Sequence, residues 1–81
     1  MNDHEYEFVQ RTVVEEATAL TSELRPERND DSGWDKFHDI LFGRVLTDVD
    51  NTDYSYLDAR DVSEVCGEVE NDIRHGDILG L

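Results

Sequence analysis

Three stretches of this chain carry apolar residues at spacings of three and four, the repeat of one face of an α-helix. The first stripe is Tyr6, Val9, Val13, Ala17, Leu20 and Leu24. The second is Trp34, Phe37, Leu41 and Val45, broadened by Phe42 and Leu46, with Ile40 nearly opposite. The third is Ala59, Val62, Cys66, Val69 and Ile73. Matched stripes of this kind bury themselves against one another. They predict an all-α fold, a compact three- to four-helix bundle with an acidic surface, in a single domain over residues 1–81. Trp34, Phe37, Leu41, Val62, Val69, Val13 and Leu20 are the expected core.

The punctuation between the stripes sets the expected boundaries. The first helix should run over residues 3–24, because Pro26 pushes the residue before it out of helical geometry. A polar connector over 26–33 follows, with Ser32 as expected N-cap and Asp35 in the favourable first turn. The second helix is expected over 33–46. Residues 47–58 read as an aspartate-rich loop with room for a short strand at Tyr54 and Tyr56. The third helix is expected over 58–75, with Arg74 and His75 in its last turn and Gly76 as its stop. The short apolar tail over 77–81 is expected to fold back over the bundle.

Charge then decides which functions suit such a bundle. Seven Lys and Arg stand against 21 Asp and Glu, a net charge of -14 on 81 residues. A surface of this sign repels nucleic acid and anionic membrane and attracts basic partners. Aspartate outnumbers glutamate, and Lys36 is the single lysine. That balance is similar to the composition of salt-loving archaea and their viruses, although a high-GC genome alone also favours arginine over lysine. Cys66 is alone, so no internal disulfide forms, and no zinc-type Cys and His cluster exists. The acidic amino terminus is unlike a secretory signal, and no apolar run reaches membrane length. The expected location is the cytoplasm, the host's if the source is a virus.

Within that charge, one pattern is ordered. Asp61, Glu64, Glu68 and Asp72 fall at helical spacing on the third segment. They make a carboxylate row about 125° from the apolar stripe and roughly 16 Å long, at about 1.5 Å per residue. Glu5, Glu16 and Glu23 mark a second line flanking the first stripe. A row like this imitates a phosphate backbone only partly. Duplex DNA carries a charge per about 1.7 Å of axis, whereas a helix face offers about one per 5.4 Å turn. Mimicry therefore requires the row to converge with the loop that holds Asp50 and Asp53. Tyr54 and Tyr56, amid those carboxylates, are candidate aromatic anchors of a contact, against the plainer expectation that at least one of them packs on the bundle while its hydroxyl reaches water. The expected partner-binding set is Asp50, Asp53, Tyr54, Tyr56, Asp61, Glu64, Glu68 and Asp72.

Chemistry is sparse by comparison. Counting from Asp48 as a calcium loop, the sixth position is Asp53 rather than glycine and the twelfth is Ala59 rather than glutamate, so the EF-hand reading fails. No phosphate-cradling loop, dinucleotide fingerprint or serine-nucleophile motif is present. Cys66 with His38 as base is a poor nucleophile pair, because acidic surroundings raise a thiol's pKa. His38 reads as a core-edge residue. The expectation is a non-enzymatic protein without cofactor or metal, binding no nucleic acid directly. It would inhibit or regulate a basic, nucleic-acid-handling protein, in the manner of DNA mimics, anti-CRISPR and other phage anti-defence factors, or nuclease immunity proteins. The alternative is a small housekeeping or regulatory helical domain whose acidity is adaptation to salt. A third reading is a homodimer or other self-assembly through Phe8, Val14 or Ile40.

Overall fold

Asn2 begins the first helix through a reciprocal cap. Its side chain accepts from the Glu5 backbone N–H at 2.9 Å, and the Glu5 carboxylate accepts from the Asn2 N–H at 2.8 Å. The computed structural model, which describes residues 1–76, has three helices: α1 (Asp3–Thr21), α2 (Asp31–Asp50) and α3 (Ala59–Arg74). No strand occurs among the described residues, so the segment around Tyr54 and Tyr56 is a run of turns rather than a strand. The tail over 77–81 lies outside the described residues.

Each helix packs on the other two. The core is continuous: Val9, Val13, Ala17 and Leu20 from α1, Trp34, Phe37, Leu41, Val45 and Val49 from α2, and Val62, Val65, Cys66, Val69 and Ile73 from α3. All seven expected core residues are in it. Ala59, expected in the third stripe, is exposed at the start of α3, and Val65 takes a buried place beside Cys66. Tyr6, Phe8, Val14, Ile40, Phe42 and Leu46 are half-buried edges of the same core.

Four boundaries differ from the sequence expectation, each for a local reason. α1 stops at Thr21 with Ser22 as C-cap, and Leu24 returns as a turn bonded to the Leu20 carbonyl at 2.8 Å. The N-cap of α2 is Asp30, whose carboxylate accepts from Gly33 N–H at 3.0 Å, so Ser32 lies inside the helix. α2 runs four residues past Leu46, because Val49 extends the stripe one turn beyond Val45 and is 1% exposed. Asp48 and Asp50 are therefore helical. Asp58 caps α3 rather than belonging to it. Gly76 follows the His75 C-cap with φ 80, the left-handed position that suits glycine.

Candidate functional site

The carboxylate row on α3 is assembled as its spacing requires. Glu64 and Glu68 are exposed, and Asp61 and Asp72 half-buried. The recorded ion pairs are Glu23 with Arg44, Asp31 with Arg74, and Glu70 with His38. None involves the row, so among the described residues its four carboxylates face no Lys or Arg within pairing distance. An unpaired row keeps its field pointing into solvent.

Two tyrosines tie the row to the rest of the molecule. The Tyr6 hydroxyl donates to Glu68 Oε2 at 2.6 Å. This bond, then burial, then the charges of Glu68 and Asp72 push the Tyr6 pKa above its ordinary value. On the neighbouring residue of α1, Glu5 Oε2 accepts from the Tyr56 hydroxyl at 2.5 Å. Glu5 thus caps α1 with one oxygen and holds the 51–58 segment with the other. The Tyr56 bond, followed by the Asn2 backbone bond, lowers the Glu5 pKa, and the same contact raises that of Tyr56.

The expected tyrosine pair divides its work. Tyr54 is half-buried and stacks on Phe8 with centroids 4.4 Å apart and planes 16° apart. Tyr56 stays 67% exposed, its ring 6.2 Å from that of Tyr54. Tyr54 is a packing residue that fixes the segment, and Tyr56 is the ring that faces solvent. Asp50 and Asp53 are exposed at the end of α2 and the following turn. No recorded hydrogen bond or ion pair links them to the row. The row and the Tyr56 end of the segment meet at one turn of α1, through Glu5 and Tyr6. Neither residue is in the expected binding set. The Asn2 to Glu5 capping pattern was readable, but Tyr6 looked like simple core because it opens the first stripe.

Sequence spacing gave no sign of a polar relay between α2 and α3. His38 Nδ1 donates to Glu70 Oε2 at 2.7 Å, and the Ser63 hydroxyl lies 3.3 Å from His38 Nε2. That order of groups resembles an activated serine. Ser63 sits within α3, so the relay joins the facing sides of α2 and α3. Ser63 and His38 line neither the concavity between Arg25 and Gly76 nor the one between Glu16 and Asp48. The relay acts as a polar clamp between helices. Burial raises the Glu70 pKa against the lowering effect of His38. Cys66, fully buried nearby, has its thiol pushed up to about 12, chiefly by burial and then by Glu70.

A second acidic contact lies between α1 and α2. Glu16 has a raised pKa from burial first, then from a shared hydrogen bond and the charge of Asp48, with Arg44 opposing. Among the described residues no group of three or more His, Cys, Asp or Glu is placed to hold a metal ion, and no helix is long and apolar enough to cross a membrane.

No family model matches the chain, and neither the curated proteins nor the solved structures searched contain a significant match to it.

Proposed function

We propose that this protein works by binding: the α3 row engages a cationic surface on a nucleic-acid-handling protein as an acidic inhibitor or regulator, overlapping the nucleic-acid site without copying the charge spacing of a phosphate backbone. The observation that carries this reading is the row itself, four carboxylates at helical spacing without a basic partner among the described residues. Like charges left unpaired on one face cost some stability, and that cost is offset when a basic surface supplies the counter-charge. The Tyr6 bond to Glu68 supports the same reading, because it restrains one carboxylate before any partner arrives. Tyr56 supplies an exposed aromatic ring beside the acid.

A salt-adaptation reading is favoured by a different observation. Exposed acids occur on all three helices, including Glu7 and Glu15 on α1 and Asp35 and Asp39 on α2. Such a distribution suits a surface tuned to concentrated salt rather than aimed at one partner.

Capture from a cell lysate distinguishes the two. Under the binding reading, a basic protein is retained at low salt, released by added salt and by duplex DNA, and lost with Glu64→Lys. Retention indifferent to both Glu64→Lys and duplex DNA would remove the binding reading. Stability gained only at molar salt, with nothing retained, would favour salt adaptation.

A further inference from the structure

At the far end of α3 from its first turn, the charge pattern reverses. A cavity of about 490 Å³ opens where the 22–30 connector meets the start of α2 and the end of α3. Arg25, Arg28, Arg74 and His75 line it, above a floor that includes Trp34 and Ile73. Three of the chain's seven Lys and Arg therefore converge on one concavity of a protein with net charge -14. We propose that this cavity is a binding site for the phosphate group of a small phosphomonoester.

Arg74 is a fixed wall of the site. Its Nε donates to the Arg28 carbonyl at 2.8 Å, its Nη2 pairs with Asp31, and its guanidinium lies 5.9 Å from the Trp34 ring centroid. Arg28 Nη2 donates to His75 Nδ1 at 3.0 Å. With Nδ1 accepting, the neutral His75 ring carries its proton on Nε2 and presents a further donor. Arg28 and Arg25 form no recorded ion pair with any carboxylate among the described residues. Glu27 is the one carboxylate in the lining.

The dipole of α3 accounts for Arg74 and His75, which sit at its negative end. It does not account for Arg25 and Arg28, which belong to the connector. In a chain with 21 acids, unpaired guanidiniums are expected to find a carboxylate. Instead they are gathered beside Arg74, whose charge Asp31 already meets, and two unmet like charges in one concavity are unfavourable until an anion enters. A carboxylate has two oxygens to offer. The guanidiniums of Arg25 and Arg28, the remaining donors of Arg74 and an imidazole N–H suit the three terminal oxygens of a phosphate better. The cavity is also much larger than orthophosphate, leaving room for an organic substituent beside Ile73.

Trp34 is the single tryptophan, so its emission reports on the site directly. The test titrates the protein with inorganic phosphate and with phenyl phosphate, replacing chloride at constant ionic strength. The expected result is a saturable change in Trp34 emission, tighter for phenyl phosphate, with amide shifts confined to Arg25, Arg28 and residues 73–76. Arg25→Gln and Arg28→Gln, checked for unchanged helicity, should each weaken binding at least tenfold. A response equal to that of chloride, shifts mapping elsewhere, or binding unchanged in the double variant would overturn the proposal. Saturable binding of orthophosphate with none of phenyl phosphate would overturn the assignment of a monoester.

Discussion

The Tyr6 hydroxyl and the Glu68 carboxylate meet at 2.6 Å across the seam between α1 and α3. The bond places an apolar-stripe residue of one helix in direct contact with the solvent face of another. Tyr6→Phe keeps the ring in the core edge and removes only the donor. We expect a loss of about 0.5–1 kcal/mol, at the low end for a bond to a charged acceptor because water reaches it. Because the folded-state pKa of Tyr6 is raised, its contribution is present below the ordinary tyrosine value of 10.0 and is lost as pH rises through the higher one. Denaturant midpoints of wild type and Tyr6→Phe should therefore converge at strongly alkaline pH.

The glycines of α2 and α3 give a paired test of local packing. A Cβ on Gly33 would lie 2.8 Å from the Asp30 Cγ and 2.9 Å from the Pro26 Cβ. Gly33→Ala should displace the Asp30 cap and cost about 1 kcal/mol or more. Gly43 and Gly67 have nothing within 4 Å of that position. Gly43→Ala and Gly67→Ala should each stabilise by about 0.5–1 kcal/mol, because alanine loses less backbone entropy in a helix interior. Thermal melts of the three variants check both signs.

The stripes made the helices legible, because burial on one face imposes its period on the sequence. The ends were less legible. Val49 continues the second stripe, yet the aspartates around it read as a loop. Burial of Val49 outweighed the weak helix propensity of its neighbours. Asp30 and Ser32 are both good N-caps by type, and the fold uses Asp30, whose carboxylate accepts from the Gly33 N–H. That Asp61, Glu64, Glu68 and Asp72 lie on one helix followed from their spacing. The row's link to Tyr56 through Glu5 and Tyr6 did not, because a tertiary hydrogen bond leaves no periodic trace. The arginine cavity was equally hidden, since Arg25, Arg28 and Arg74 are brought together only when the connector folds over the end of α3.

Two carboxyls set the direction of the pH response. Glu16, facing Asp48 and Arg44 on α2, and Glu70, facing His38 and Asp35, both have pKa values raised above the ordinary 4.5, chiefly by burial. The folded state holds their protons more tightly than the unfolded state. Their stabilising contribution is complete below the ordinary value and fades as pH rises through the raised ones. Glu5, half-buried with a lowered pKa, acts in the opposite sense. Urea midpoints at constant salt should be higher at about pH 5 than at about pH 7.5. Glu16→Gln should flatten that difference.

Cys66 reports on opening of the bundle. It is fully buried, and its thiol is pushed up to about 12, so the native protein presents almost no thiolate at neutral pH. Labelling by a thiol reagent should be slow in buffer and should accelerate in step with unfolding as urea is added. Rapid labelling in buffer, with helicity intact, would contradict the packing of α3 described above.

Charge reversal on the α3 row reveals whether the row is a binding surface. Affinity for the captured basic protein should be measured across a salt series with wild type, Glu64→Lys, Glu68→Gln and Glu15→Lys. Glu68→Gln preserves an acceptor for Tyr6 while removing the charge, and Glu15 is exposed on α1. Affinity should fall with salt, with Glu64→Lys weakening binding at least tenfold, Glu68→Gln weakening it less, and Glu15→Lys leaving it nearly unchanged. Equal losses from Glu64→Lys and Glu15→Lys, or affinity indifferent to all three, would contradict binding through the row.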